Sequence, residues 1–319
     1  MTNSKPLVSV AMATYNGERF LRQQLDSVIE QTYKNLEVIV TDDGSTDQTL
    51  AILEEYSHKF GLKYWRNENN LGYARNFERA ASLCGGDYIA FCDQDDAWFP
   101  RKIETLLNEI GEYSLIYSDA TLIDEQNNVL AKSYREYVNL PRLTGKPFKE
   151  LIFSCYVRGF QMLFTRALLK AALPMPSDIT HDDWLCILAT RMNGMKFLDT
   201  PLVAYRQHGR NVTGILASYS MAREFFGVLK NITNREANKR RQEQYRRTTS
   251  KLISLSRLAC FDDDDRAFIN EVAEYYQDQA ASIIHWRSFA IAMKYYNHLL
   301  PDKNSFLRFK FLISSLVHP

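Results

Sequence analysis

Three carboxylates stand within four positions in Asp93-Gln94-Asp95-Asp96, directly after a short apolar run from Tyr88 to Cys92. The run is short, aromatic and β-branched and follows the Gly85-Gly86 break, which is typical of a buried strand. Carboxylates this close repel one another, and a divalent cation such as Mg²⁺ or Mn²⁺ stabilises such a group because it prefers oxygen ligands. A solvated loop that caps the next helix is the alternative that these residues alone leave open.

Two earlier apolar runs also end in polar, turn-forming clusters. Leu7 to Ala13 leads into Thr14-Tyr15-Asn16-Gly17, and Leu36 to Thr41 leads into Asp42-Asp43-Gly44-Ser45-Thr46-Asp47. A helix-like apolar pattern follows each run, and strands that alternate with helices predict an α/β fold with a parallel sheet. The sequence therefore places three polar loops along one sheet edge, where open α/β sheets bind ligands.

These motifs, in this order, resemble those of glycosyltransferase family 2, a family of inverting enzymes with the GT-A fold. The resemblance rests on the ordered set and covers roughly the first two-thirds of the chain. The Asp-Gln-Asp-Asp-x-Trp form together with His-Asp-x-Trp is most similar to the bacterial rhamnosyltransferase-like branch. The matching segments are Val8–Gly17, Val38–Asp47, Asn70–Asn76, Asp93–Trp98, His181–Leu185 and Tyr205–Val212.

The resemblance implies transfer of a sugar from a nucleotide-diphospho-sugar, with Mn²⁺ or Mg²⁺ as cofactor. Asp95 and His208 are implied as the metal ligands, and Arg206 and Arg210 as cations that offset phosphate charge. Carboxylates at the exits of the first two strands suit a pyrimidine N–H and ribose hydroxyls, which donate hydrogen bonds. The expected donor-binding residues are Thr14, Tyr15, Asn16, Glu18, Asp42, Asp43, Arg75, Asp93 and Gln94.

The motif His181-Asp182-Asp183-Trp184 supplies the expected general base. By the resemblance this base is Asp182, which would remove the proton of the acceptor hydroxyl so that the anomeric centre inverts in one displacement. Asp183 stands where the family usually carries an aromatic residue. An assignment shifted by one position therefore stays open.

Two other functions agree less well with the sequence. A sugar-1-phosphate nucleotidyltransferase needs a glycine-rich, basic loop after the first strand, and Thr14-Tyr15-Asn16-Gly17 is not such a loop. A catalytically inactive nucleotide-sugar-binding or scaffold protein would have a broken D-x-D motif or no base. The D-x-D motif and the candidate base are both present in this sequence.

The sequence predicts two domains, a GT-A domain in residues 1–214 and a helical C-terminal domain in residues 215–319. The sheet of the first should be mixed and mostly parallel, with Lys196 to Leu198 as a short last strand. Residues 130–155 show no sustained period and predict a loop-rich insert on the acceptor side. Beyond Thr213 strand signals disappear, helical spacing takes over, and Asp262 to Asp265 should cap a helix.

Charge and cysteine content indicate which binding partners and which cellular compartment to expect. A net charge of +1 gives no global field that would recruit nucleic acid. Five cysteines without C-x-x-C spacing fit a reducing compartment, and we find no signal peptide and no spanning segment. We therefore expect a cytoplasmic protein that acts on a saccharide or lipid-linked saccharide. The apolar stretch Phe306 to Val317 could contact the inner face of the membrane, pack on the helical domain, or form a homodimer contact.

Overall fold

The structure, a computed structural model, describes residues 5–153, 157–209, 235–281 and 285–299, with Leu312 and Ser315. The chain falls into two compact units. One comprises Met1–Pro147 and Tyr156–Ile215, and the other comprises Phe148–Cys155 and Leu216–Pro319. This division differs from the expected boundary after residue 214 mainly in the segment Phe148–Cys155.

A mixed sheet with nine strands among the described residues forms the centre of the first unit. Its strands are β1 (Val8–Thr14), β2 (Leu36–Asp42), β3 (Lys63–Arg66), β4 (Tyr88–Cys92), β5 (Ala97–Trp98), β6 (Leu115–Ile123), β7 (Val129–Ala131), β8 (Met162–Thr165) and β9 (Met195–Arg206). The helices of this unit are α1 (Leu21–Ile29), α2 (Thr49–Phe60), α3 (Tyr73–Ser82), α4 (Lys102–Glu109), α5 (Tyr134–Tyr137), α7 (Arg166–Ala172) and α8 (His181–Arg191). Helix α6 (Phe148–Phe153) belongs to the other unit.

The strand order is β3-β2-β1-β4-β8-β6-β9-β5, and β7 pairs with β6. Strands β1 to β4 run parallel, and β8 lies antiparallel between β4 and β6. The chain builds outward from β1 through β2 to β3 and then returns to place β4 on the other side of β1. Ligands of open α/β sheets bind at such a reversal of strand order, outside the carboxyl ends of the strands.

Burial explains why the central strands lack an alternating pattern. Val10 and Met12 of β1 are fully buried on one face, and Ala11 is fully buried on the other. Parallel strands covered on both faces have continuous apolar runs of this kind. On α1, apolar residues one helical turn apart belong to the same core as β1, namely Leu21, Leu25 and Val28.

Strand β9 is much longer than the three residues Lys196 to Leu198 that the sequence predicted. It has twelve residues and pairs in parallel with β6, with register shifts near Pro201. Pairing with β6 keeps the chain extended beyond Pro201, where local sequence gives no strand signal. Its extension carries the chain to Arg206 and then to His208. The predicted loop-rich insert likewise contains β7, α5 and α6.

The second unit consists of α6 with α9 (Arg235–Ser256), α10 (Asp263–Ala281), α11 (Trp286–Lys294) and α12 (Tyr296–Leu299). As predicted, the Asp262 carboxylate caps a helix, since it accepts the Asp265 N–H of α10 at 2.8 Å. Helix α6 joins this unit because its aromatic side chains pack on α10, with the rings of Phe153 and Phe268 5.8 Å apart.

Arg210 and the stretch Phe306 to Val317, apart from Leu312 and Ser315, lie outside the described residues. Across the part of the chain that the structure describes, no helix combines the length and the apolar character needed to span a membrane.

Candidate active site

The Asp42 carboxylate shapes the loop after β2. It accepts hydrogen bonds from Thr14 Oγ1 at 3.0 Å and from the backbone N–H groups of Gly44 and Ser45 at 3.1 and 2.9 Å. The side chain is fully buried. Asp42 therefore ties the end of β1 to the turn after β2, and Thr14 takes part in the same contact.

Asp43 holds a second loop in place. Its Oδ1 accepts from Asn67 Nδ2 at 2.8 Å and from the Leu71 N–H at 2.7 Å, and its Oδ2 accepts from the Gly72 N–H at 2.8 Å. This arrangement fixes the N-terminus of α3 beside the edge of the sheet. A carboxylate oxygen accepts more than one hydrogen bond, so Oδ2 keeps capacity for a ligand N–H.

The loop after β1 is connected to both neighbouring loops. Gln94 Oε1 accepts the Tyr15 N–H at 2.9 Å, and Gln94 Nε2 donates to the Tyr15 carbonyl at 3.1 Å. Asn16, at a φ of 48°, accepts the Thr46 N–H at 2.9 Å, and Glu18 accepts the Gln48 N–H. The predicted residues of this loop thus lie together, and the Tyr15 side chain is half exposed.

Asp95 and His208 meet at the exit of β4. The Asp95 Oδ2 to His208 Nε2 distance is 2.8 Å, and both side chains retain some solvent exposure. The His208 ring also packs against Phe20, with ring centroids 5.3 Å apart. The long β9 strand is what brings the histidine to this carboxylate.

Two further carboxylates belong to the same cluster. Desolvation and the negative charges of Asp95 and Asp182 raise the pKa of Asp93 to about 7. Asp182 lies in the first turn of α8, is buried, and accepts the Asp183 N–H at 2.9 Å. Desolvation acts to raise the pKa of Asp182, but His181 in its protonated form, the Thr180 hydroxyl and the Asp183 N–H hold it below its ordinary value. Asp182 is therefore ionised near neutral pH.

An aromatic cage surrounds His181, which immediately precedes Asp182. Its ring centroid lies 4.5 Å from that of Phe77, 5.0 Å from that of Phe91 and 6.0 Å from that of Tyr73. Burial lowers the pKa of His181, so the ring is neutral. This cage was not predicted, because its members lie on different elements and no local signal connects them.

Asp96, the last carboxylate of the motif, faces the interior. Its Oδ1 accepts the Arg206 N–H at 2.9 Å, and its Oδ2 has no hydrogen-bond partner among the described residues. Burial and the charges of Asp95 and Asp93 raise its pKa well above the ordinary range. Asp96 therefore supports the loop from within.

The two arginines differ in their environment. Arg75 is partly exposed, pairs with Glu78, and donates to the Met175 carbonyl at 2.9 Å. Arg206 is fully buried, with its guanidinium Nε 2.8 Å from the Asp95 carbonyl oxygen. Contacts distant in sequence enclose the Arg206 side chain, so its guanidinium is not exposed to a phosphate in this structure.

A metal ion would need ligands from outside the protein. Among the described residues, no group of three or more His, Cys, Asp and Glu side chains is arranged to hold one. The Asp95 and His208 pair nevertheless fits, since adjacent ligands of an octahedral ion at about 2.0–2.1 Å lie about 2.9 Å apart. Their observed separation is 2.8 Å. The raised pKa of Asp93 also indicates excess negative charge that a cation would offset.

Solved structures of similar shape define the fold class. S. aureus TarS 1-349 in complex with UDP-GlcNAc matches with a TM-score of 0.53 and 18% identity, over 97% of this chain and 81% of that chain. The mannosyltransferase PcManGT from Pyrobaculum calidifontis, in complex with GDP-Man and Mn²⁺, matches with a TM-score of 0.56 and 16% identity, over 98% and 86%. The fold is GT-A, with a mixed, mostly parallel sheet and additional C-terminal helices.

The chain belongs to glycosyltransferase family 2, since the Glycosyl transferase family 2 model matches residues 9–171. The uncharacterized glycosyltransferase RP339 of Rickettsia prowazekii (strain Madrid E) is 30% identical over 248 residues, which are 72% of this chain and 74% of that protein. Glycosyltransferase EpsE of Bacillus subtilis (strain 168) is 38% identical over 128 residues, 39% of this chain and 46% of its own length. The chain is therefore a glycosyltransferase.

Proposed function

We propose that this glycosyltransferase is metal-dependent and inverting, and that it belongs to the rhamnosyltransferase-like branch. It transfers a sugar from a nucleotide-diphospho-sugar, such as dTDP-rhamnose or a UDP-hexose, to a saccharide or lipid-linked saccharide of a bacterial surface polysaccharide. One observation carries the proposal. Asp93, Asp95, Asp182 and His208 converge at the carboxyl edge of β4, beside the reversal of strand order.

In this proposal Asp95 and His208 would hold the cation, and the donor's diphosphate would supply further oxygens. A divalent cation held there would offset the negative charge that develops on the leaving diphosphate. Asp93 and Gln94 lie in the same loop, and Gln94 fixes it to the Tyr15 backbone. The Mn²⁺ and the nucleotide sugars bound by the two similar solved proteins support this assignment by analogy.

The nucleoside lies between the loops after β1 and β2. Tyr15 offers an exposed ring, and Asp43 Oδ2 retains capacity to accept a ligand N–H. Asp42, Thr14, Asn16 and Glu18 act chiefly by holding these loops in place through the hydrogen bonds described above.

Asp182 is the general base. Hydrogen bonds from the Thr180 hydroxyl and the Asp183 backbone N–H favour its ionised form despite its burial, so it can take the proton of an acceptor hydroxyl. The hydroxyl oxygen then attacks the anomeric carbon on the face opposite the nucleoside diphosphate, which leaves with the bonding electron pair. One displacement of this kind inverts the anomeric configuration, and no covalent enzyme intermediate is needed.

A donor panel tests the proposal. Purified full-length protein is incubated with UDP-, dTDP- and GDP-sugars and a saccharide acceptor mixture, and nucleotide release is measured with Mn²⁺, with Mg²⁺ and with excess EDTA. We expect release that depends on both metal and acceptor, and loss of most of it in Asp95→Asn, because one anionic ligand is removed. Full turnover in EDTA contradicts the metal assignment, and catalysis by a donor outside the nucleotide-diphospho-sugar class contradicts the donor assignment.

A further inference from the structure

The guanidinium of Arg206 contacts three separate parts of the first unit. Nε donates to the Asp95 carbonyl at 2.8 Å, and Nη2 donates to Gln23 Oε1 on α1 at 2.9 Å. Nη1 donates to the Asp124 carbonyl at 3.1 Å and to Asn127 Oδ1 at 2.8 Å, both in the turn between β6 and β7. All three nitrogens of a fully buried side chain are therefore used.

Arg206 contacts the loop that carries one proposed metal ligand and lies two positions before the other. Its Nε holds the carbonyl of Asp95, and its backbone N–H donates to Oδ1 of Asp96 at 2.9 Å, so the loop is fixed at two consecutive residues. His208 follows Arg206 by two positions along the chain. One side chain thus fixes the strand that carries the histidine to the loop that carries the aspartate.

Phe20 adds a second connection. Its ring lies 4.6 Å from the guanidinium carbon of Arg206, and its centroid lies 5.3 Å from that of the His208 ring. A guanidinium stacks favourably on an aromatic face. Phe20 therefore supports Arg206 and His208 together.

The chemistry of the site requires arginine in particular. Its planar fork directs several N–H groups at once, whereas lysine offers a single nitrogen on a flexible stem. A buried cation is tolerated only when charges and hydrogen bonds compensate its lost hydration. The carboxylates of Asp95 and Asp124 supply compensating negative charge around Arg206.

We propose that Arg206 is a positioning residue that holds Asp95 and His208 as a preformed pair for the donor's divalent cation, with Phe20 as their shared support. The inference rests on the proposed metal-dependent function. It assigns Arg206 a role in metal affinity, exerted through the two ligands. Partners that orient metal ligands typically change metal affinity by about 10–100-fold when they are replaced.

Binding of Mn²⁺ to the purified full-length protein tests this role by electron paramagnetic resonance, which reports free Mn²⁺ without any turnover. Titrations are made with Mn²⁺ alone and with Mn²⁺ plus UDP or dTDP. Arg206→Lys should raise the Kd for Mn²⁺ by about 10–100-fold. Phe20→Leu keeps the guanidinium hydrogen bonds and should raise this Kd by a smaller factor.

Arg135→Lys is the matched control. Arg135 is 1% exposed, stacks on the rings of Tyr117 and Phe197 at 5.0 Å, and donates to the Pro141 carbonyl. Its substitution should lower the melting temperature, as in Arg206→Lys, but leave the Kd for Mn²⁺ unchanged. Comparing the two variants separates a loss of stability from a loss of metal affinity.

Each result of these titrations either supports or overturns the positioning role of Arg206. A folded Arg206→Lys with the wild-type Kd overturns the positioning role. If Arg206→Lys does not fold, Phe20→Leu decides, and an unchanged Kd in that variant overturns the role. Wild-type protein that binds no Mn²⁺ under any of these conditions refutes the proposed metal dependence, and the inference falls with it. Mn²⁺ binding by the wild type with no effect of either variant refutes the positioning role alone.

Discussion

Replacement of Asp182 by asparagine tests the proposed chemistry most directly. Asparagine keeps the size of the side chain and an oxygen that can accept the Asp183 N–H, which lies 2.9 Å from the Asp182 carboxylate. It cannot take a proton from the acceptor hydroxyl. A positioned base contributes about 10²–10⁴-fold in rate, which is about 2.7–5.4 kcal/mol of activation free energy at about 1.36 kcal/mol per decade.

Donor binding should survive the same change. Asp182 is one of the negative charges that raise the pKa of Asp93, so removing it relieves repulsion at the proposed donor site. We therefore expect kcat to fall by about 10²–10⁴-fold while the KM for the donor does not rise. The assay is the initial rate of nucleotide release at varied donor concentration, in saturating Mn²⁺.

Asp183→Asn is the matched control. Both aspartates lie in the first turn of α8, where a negative charge stabilises the positive end of the helix dipole. Both variants should therefore lose similar stability, whereas only Asp182→Asn should lose most of its rate. If the rate effects are reversed, Asp183 is the base. A product with retained anomeric configuration, measured by proton NMR, refutes the single displacement itself.

Two other substitutions test the supporting structure. In Gly159→Ala the new Cβ would lie 2.9 Å from His181 Nε2, and overpacking of this kind costs about 1–3 kcal/mol. The melting temperature and kcat should both fall, and wild-type values of both would contradict the packing account. In wild type, burial acts to raise the pKa of Glu37, but hydrogen bonds from Ser9 and Gly85 hold it below its ordinary value of 4.5. The free energy of unfolding of wild type should therefore exceed that of Glu37→Gln by its full amount above this pH, and the difference should disappear as the pH falls below it. Urea unfolding across this pH range measures the difference. A difference that does not change with pH would contradict the account.

The sequence alone determined the strands that carry the site. The bounds of β4, Tyr88–Cys92, agree with the prediction, because an apolar run between a glycine break and charged residues is a local signal. The sequence also predicted that β1, β2 and β4 end along one edge of the sheet, since alternating strands and helices form a parallel sheet. The ordered motifs were enough to indicate the family, which the match over residues 9–171 bears out.

Other features depended on contacts between residues far apart in the chain. Strand β9 continues beyond Pro201 because β6 offers hydrogen bonds to it, and no local pattern reports the position of a partner strand. Helix α6 falls with the second unit because its rings pack on residues of α10. The Asp42 carboxylate is committed to loop contacts for the same reason, as its donors come partly from β1.

Arg206 and His208, two positions apart in the chain, illustrate the difference between what local sequence indicates and what tertiary contacts decide. The motif around them marked both as functional, and His208 does lie beside Asp95. The sequence could not reveal that Arg206 is enclosed, because its partners Gln23, Asp124 and Asn127 come from two distant segments. Residue type determines what a side chain can bind, but only the packing of distant segments determines whether it faces the substrate or the interior.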